Sequence, residues 1–174
     1  DLIYVQDLAL ADYGAVRSHE YYVSQYVDHS PLFHPERGVV VASRQNEHAG
    51  GRNPWCVIGS LRRGVSFATD ALQVYGLSKR AGGAPAALTR GLPGKRLQHE
   101  HSLAAIQDAP ISLAPGERVE CGFFGWFERD HPAATSPADL AFVDLALALP
   151  EAKSDCPRYA SGQEDSIPPS LFCS

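Results

Sequence analysis

Short apolar runs separated by glycine and proline fill most of the chain before residue 130, and this pattern constrains the fold most strongly. The 174 residues include 15 glycines and 13 prolines, a larger share than the roughly 12 per cent usual in globular proteins. Runs such as 39–42 (VVVA) and 55–58 (WCVI) are apolar without alternation, as in strands covered on both faces. The chain is therefore predicted to be mainly β, with candidate strands at residues 2–10, 38–43, 55–60, 65–69, 72–77, 97–106 and 118–127.

Local signals add a turn and a helix. Pro115 followed by Gly116 suits the two central positions of a type II turn between Ala114 and Glu117. In the strand predicted after this turn, Val119, Cys121, Phe123 and Phe127 share the side expected to face the core. Ser136 can cap a helix that Pro137 begins and Pro150 ends, with Leu140, Val143 and Leu147 at helical spacing. The segment 18–26 suits either a helix or a strand.

Charge and composition exclude several partners. Fifteen basic against 20 acidic residues give a net charge of −5, which argues against binding nucleic acid or anionic lipid. No stretch approaches the ~18 apolar residues of a membrane span, so no direct membrane contact is expected. Four cysteines without a C-x-x-C pair favour a reducing compartment. Residues 1–150 are expected to form one β-sandwich domain, and residues 151–174, rich in Ser and Pro, a linker or loosely packed arm.

No catalytic or metal-binding residue can be assigned from motifs. His99 and His101 would share one face of a strand and could reach one ion, but two ligands make a weak site, and ordinary strand histidines are the commoner explanation. Nucleotide-binding and serine-hydrolase motifs are absent from the sequence. No cofactor is expected.

Aromatic and polar clusters are the best candidates for ligand contact. Flat rings suit the CH faces of sugars and forked donors suit hydroxyl groups, although the same composition also fills ordinary sandwich edges. On the outer side of the strand at 118–127, two large aromatic residues are candidates for docking a neighbouring domain. The predicted sugar contacts are Tyr21, Tyr22, Tyr26, Arg44, Gln45 and Asn46, and the predicted docking residues are Phe124 and Trp126.

Five long segments together carry a family resemblance. They are 15–35 (AVRSHEYYVSQYVDHSPLFHP), 42–46 (ASRQN), 51–76 (GRNPWCVIGSLRRGVSFATDALQVYG), 92–110 (LPGKRLQHEHSLAAIQDAP) and 114–140 (APGERVECGFFGWFERDHPAATSPADL). The segments closely resemble cyclic β-1,2-glucan synthases and occur in the order found in that family, and the resemblance covers roughly residues 3–150. The resemblance implies a very large bacterial inner-membrane enzyme that combines a glucosyltransferase, a cyclising barrel and a part similar to disaccharide phosphorylases. This chain would be an interior segment of the galactose-mutarotase-like β-supersandwich type, possibly its later half, with one or two short helices.

The resemblance implies an accessory domain rather than a catalytic one. Motifs of the catalytic barrel are absent from the sequence, and the lack of any methionine agrees with a segment taken from inside a longer chain. The expected partners are β-1,2-glucan and neighbouring domains of the same polypeptide, on the cytoplasmic side of the bacterial inner membrane. Two alternatives remain open: a purely structural spacer, and a mutarotase-like enzyme in which His99, Glu100 and His101 act as acid and base.

Overall fold

Seven β-strands form one sheet in the computed structural model, which describes residues 1–77, 82–97 and 101–153. The prediction of a mainly β chain with few short helices is confirmed, and the curled sheet packs in a sandwich-like manner. The strands are β1 (Ile3–Asp7), β2 (Val27–His34), β3 (Gly38–Gln45), β4 (Trp55–Ser60), β5 (Gly64–Asp70), β6 (Ser102–Asp108) and β7 (Phe123–Glu128).

Short helices lie between and after the strands. No helix among the described residues is long and apolar enough to cross a membrane. The helices are α1 (Tyr13–Ser24), α2 (Ala71–Tyr75), α3 (Ala87–Arg90) and α4 (Leu140–Ala148), with 3-10 turns at Pro137–Asp139 and Pro150–Ala152. Beyond residue 153, the predicted arm at 151–174 lies outside the described residues.

The strand order is β1-β6-β5-β3-β4-β7, and β2 pairs with the whole length of β3 along its other edge. All pairs are antiparallel except β3 with β5, which meet in parallel at Gly38 and Gly64. A Cβ atom on Gly38 would lie 2.2 Å from the carbonyl oxygen of Gly64, and one on Gly64 would lie 2.3 Å from that of Val39. Only glycine allows the two backbones to approach so closely, and the sheet curls at this crossing.

The curl gives the sheet an inner face and two separate outer faces. The inner cluster includes Val39 and Val41 of β3, while the alternate residues Val40 and Ala42 face outward beneath α4. The outer face of β5 and β6 is covered by α2 and α3. Burial on both faces explains why these strands are apolar without alternation.

Helix α4 begins as its sequence signals predict. The Ser136 hydroxyl accepts a hydrogen bond from the amide of Ala138, and the carboxylate of Asp139 accepts one from the amide of Ser136. This reciprocal capping satisfies amides that a helix leaves unpaired at its start. Helix α4 then buries Val143 and Ala146 against the outer face of β4 and β7.

Two element predictions were wrong for local reasons. The segment 72–77, predicted as a strand, overlaps helix α2 instead. The helix begins here because the Asp70 side chain accepts a hydrogen bond from the amide of Leu72, and the Gln73 side chain accepts from the amides of Thr69 and Asp70. This capping outweighs the strand-like composition. Strand β2 was not predicted because it contains Pro31, which a strand tolerates at a sheet edge.

The turn before β7 is present, but the expected hairpin is not. The amide of Glu117 donates to the carbonyl of Ala114 at 3.0 Å, and Gly116 has φ +86°. Strand β7 begins only at Phe123. The predicted core side is also wrong at its far end, since Phe127 is exposed while Phe124, on the other side, is buried beneath α4.

Candidate functional site

The predicted tyrosines lie on the solvent side of helix α1, Tyr21 and Tyr22, and of the turn that follows it, Tyr26. Tyr21, Tyr22 and Tyr26 are 63, 51 and 38 per cent exposed. The helix is interrupted at His19, whose φ of −152° and ψ of 58° are not helical. Val23 points the other way and is buried, which anchors the second half of the helix.

Tyr22 on α1 and Tyr26, just after the helix, form a pair. Their ring centroids are 5.2 Å apart in an edge-to-face arrangement, and their hydroxyl oxygens are hydrogen-bonded at 3.2 Å. The hydrogen bond with Tyr26 is the main cause that raises the pKa of Tyr22, and the negative charges of Tyr26 and Glu47 raise it further. Tyr22 is a neutral phenol near pH 7, since even the usual pKa of a tyrosine is about 10.

Tyr22 lines a cleft of about 280 Å³ between α1 and the turn at residues 47–50, which we call the α1 cleft. The wall is polar as well as aromatic, because carboxylates, imidazoles and a hydroxyl surround the ring. Its polar and aromatic lining comes from Asp12, Ser18, His19, Tyr22, Glu47 and His48.

Gln45 lies in the wall of the α1 cleft and is buried. Its side-chain amide donates to the carbonyl of Ala9 at 2.8 Å and to that of Val23 at 2.9 Å, and its oxygen accepts from the amide of Glu47 at 3.1 Å. Both amide protons are thus engaged. Gln45 thus ties α1 to β3, and its predicted contact with sugar stays a prediction.

Arg44 and Asn46 lie beside the α1 cleft without lining it. Arg44 donates from Nε to the carbonyl of His131 at 2.7 Å, from Nη2 to that of Pro132 at 2.9 Å, and from Nη1 to the Asn46 side chain. The amide of Asn46 donates to the carbonyl of Tyr26 at 3.0 Å. The guanidinium thus holds the loop after β7 through two carbonyl groups. Sugar contact by Arg44 and Asn46 stays a prediction.

Tyr21 faces a second, smaller cavity of about 200 Å³ on the opposite side of α1. Its ring meets that of His101 edge to face, with centroids 5.8 Å apart, and Glu20, Asp7 and Ser102 complete the polar lining. His99 and Glu100, the other members of the predicted acid-base group, lie outside the described residues. Across residues 1–77, 82–97 and 101–153, no three His, Cys, Asp or Glu side chains are placed to hold a metal ion.

A buried histidine behind this cavity was not found from the sequence. His29 of β2 lies between two serine hydroxyls, with Nδ1 2.8 Å from Oγ of Ser43 and Nε2 2.8 Å from Oγ of Ser102. Burial is the main cause that lowers the pKa of His29 to about 4; the charge of Arg96 lowers it too, and that of Asp28 opposes the shift. The imidazole is therefore neutral near pH 7 and links β2 to β6, which are not neighbours in the sheet.

The predicted docking residues lie under or beside α4. Phe124 is buried, and a Cβ on Gly59 would lie 2.5 Å from its ring. Trp126 is half-buried, and its indole donates to Glu128 at 2.7 Å. Since α4 covers Phe124, the exposed aromatic residue of β7 is Phe127 on the inner face. Docking through Phe124 and Trp126 stays a prediction.

Residues 1–125 match the family model of the SOGP N-terminal domain. The chain belongs to this family. It is also 34% identical over 152 residues to a 1,2-β-oligoglucan phosphorylase of Listeria innocua serovar 6a. The match covers 87% of this chain and 14% of the phosphorylase, so this SOGP N-terminal domain spans a small part of that relative. The family prediction is confirmed at the level of a glucan-related, phosphorylase-like domain.

Proposed function

We propose that this SOGP N-terminal domain is a carbohydrate-binding accessory domain, without catalysis of its own, in an enzyme that acts on β-1,2-glucans. It holds glucan in the α1 cleft and packs against a neighbouring catalytic domain. The named relative supports a phosphorylase as the parent enzyme. The motif resemblance supports a cyclic β-1,2-glucan synthase, and a domain of that parent would lie on the cytoplasmic side of the inner membrane.

The observation that carries the proposal is the exposed ring of Tyr22 beside exposed polar side chains of the α1 cleft. The Asp12 side chain makes no capping bond to α1, although Asp12 is the residue before the helix. Glu47 and His48 are exposed on the facing turn. An aromatic face with donors and acceptors around it matches a sugar, which has apolar CH faces and a rim of hydroxyls.

Calorimetric titration of the whole 174-residue chain with β-1,2-linked glucose oligosaccharides tests the proposal. We expect saturable binding by the wild type, and a loss of about three- to tenfold in affinity in Tyr22→Ala. Tyr13→Ala is the matched control, since Tyr13 is an exposed tyrosine on the same helix but does not line the α1 cleft. An absence of binding at millimolar sugar would reject the proposal and leave a structural spacer.

A further inference from the structure

We propose that the α1 cleft is one half of a longer groove, and that the domain therefore prefers extended oligosaccharides over a disaccharide. This inference rests on the proposed function and deepens it. The second half is a cleft of about 460 Å³, which we call the Phe127 cleft. Its lining includes Leu10, Asp12, Arg52, Pro54, Phe127 and Arg129.

The two clefts adjoin each other. Ala11, Asp12, Ala49 and Gly50 line both of them. Gly50 and Gly51 have φ of +60° and +79°, and they form a tight turn in which Ala49 and Arg52 exchange backbone hydrogen bonds. The α1 cleft, at about 280 Å³, lies just below the volume range of ordinary ligand sites, about 300–1,000 Å³, and the Phe127 cleft, at about 460 Å³, lies in its lower half. A ligand that fills both must be elongated.

Phe127 provides an aromatic surface in the second half. Its ring is 58 per cent exposed, although it lies on the inner face of β7. Phe123, four residues earlier on the same face, instead stacks on Tyr4 with a centroid distance of 5.3 Å. The inner face thus changes from packed core to open cleft along one strand. The groove consequently has an exposed aromatic ring in each half, Tyr22 in one and Phe127 in the other.

The polar groups of the Phe127 cleft are free to bind a ligand. Within residues 1–77, 82–97 and 101–153, the structure gives no side-chain hydrogen bond or ion pair for Arg52, Arg129 or Asp12. Two guanidinium groups offer forked donors and the carboxylate offers acceptors, which together match a polyhydroxylated chain.

The charges of the groove indicate a neutral ligand. Arg52 and Arg129 line the Phe127 cleft, Glu47 lines the α1 cleft, and Asp12 lies in both, so the charges cancel over the whole groove but not within each half. An unmodified glucan is neutral, and its hydroxyls can both donate and accept. A ligand that spans both halves gains nothing overall from a net charge of its own.

Backbone strain lies at the junction of the two halves. Leu10 is the one non-glycine residue with positive φ among the described residues, at +51°. For a leucine this left-handed conformation is unfavourable, because the Cβ atom comes too close to the following carbonyl oxygen. The Gln45 amide holds the preceding carbonyl of Ala9, and the turn at Leu10 places Asp12 where both clefts meet. Strain of this kind persists where the surrounding structure fixes it, often at ligand sites.

The test is the dependence of affinity on oligosaccharide length, measured with the whole chain. We expect wild-type affinity to rise from the β-1,2-linked disaccharide to longer oligomers. Phe127→Ala should remove about three- to tenfold of the affinity for the longer oligomers and leave disaccharide affinity unchanged. Arg129→Gln, a substitution at an exposed position, should act in the same direction and covers the case in which Phe127→Ala disturbs folding.

Phe33→Ala is the matched control, because Phe33 is 72 per cent exposed on β2 and lines neither cleft. It should not alter binding. Equal wild-type affinities for the disaccharide and the longer oligomers, or unchanged long-oligomer affinity in Phe127→Ala and Arg129→Gln, would overturn the inference while the proposed function stands. No binding of any oligomer would overturn both.

Discussion

Acid should destabilise this domain through His29. In the folded protein its pKa is about 4, whereas an unfolded histidine has a pKa of about 6.5. Between these two values the unfolded chain binds more protons than the folded one, so the free energy of unfolding falls as the pH is lowered from 6.5 to 4. A difference of about 2.5 pH units at 1.36 kcal/mol each corresponds to a loss of about 3 kcal/mol. That loss is a large share of the roughly 5–15 kcal/mol of a typical domain.

Urea unfolding at a series of pH values measures this effect. Because carboxylates also titrate in this range, the informative quantity is the difference between variants. His29→Gln should be less stable at pH 7, by about 1–3 kcal/mol, since one serine loses its partner. Between pH 6.5 and 4 the wild type should lose about 3 kcal/mol more of its free energy of unfolding than His29→Gln does. His48→Gln, a substitution at an exposed histidine, should keep the wild-type dependence.

Parallel pH profiles of the wild type and His29→Gln would refute this reasoning. A measurement on the wild type alone checks the same point if the variant fails to fold. The imidazole resonances of His29 should titrate with a midpoint near 4 in an NMR series, and a midpoint near 6.5 would show that burial does not hold the ring neutral.

Three further predictions follow from buried contacts. Gly64→Ala should lower the free energy of unfolding by about 1–3 kcal/mol, seen as a lower urea midpoint, because its new Cβ would collide with the backbone of β3. Gly14→Ala, in open space on α1, should not lower it, and equal midpoints for the two variants would contradict the close backbone contact between β3 and β5. Cys56 should resist alkylation in the folded chain at pH 8, since burial raises its pKa to about 12, and half-buried Cys121 should react sooner. Peptide mapping that finds Cys56 alkylated before Cys121 would disprove this. Gln45→Leu should weaken oligosaccharide binding by shifting α1, and unchanged calorimetric affinity would show that the amide does not position the cleft.

The central strands could be predicted because their apolar composition indicates burial on both faces. The first five residues of β3 (GVVVA) and of β4 (WCVIG) carry no polar side chain, since both faces are covered, and glycine or proline lies at or next to each run. Helix α4 could also be predicted, because Ser136 marks its start and Pro150 its end. By contrast, residues 72–77 have strand-like composition, and the outcome depended on side-chain hydrogen bonds from Asp70 and Gln73 to nearby amides.

The candidate site was predictable only in part. Composition pointed to Tyr22, because flat aromatic rings next to polar residues suit contact with a sugar. It could not separate Gln45, which is buried, from its exposed neighbour Asn46, since that depends on how α1 packs on β3. Phe127 was assigned to the core by alternation along β7. Its exposure depends on where the curled sheet opens, which no local pattern encodes.

Directional polar contacts fix the curl where apolar packing cannot. His29 joins β2 to β6, Gln45 joins β3 to α1 and the segment after β1, and Asp108 joins the end of β6 to Ser60 at 2.8 Å and to Arg62 at 2.9 Å. Each contact links elements that are not neighbours in the sheet, and a shift of one residue would leave a buried polar group unpaired. Gln45 borders the groove directly, so the position of α1 is set before ligand arrives. If the domain binds glucan as proposed, a groove formed in advance avoids the cost of ordering on binding, and each glucose unit that reaches Phe127 is expected to add to the affinity.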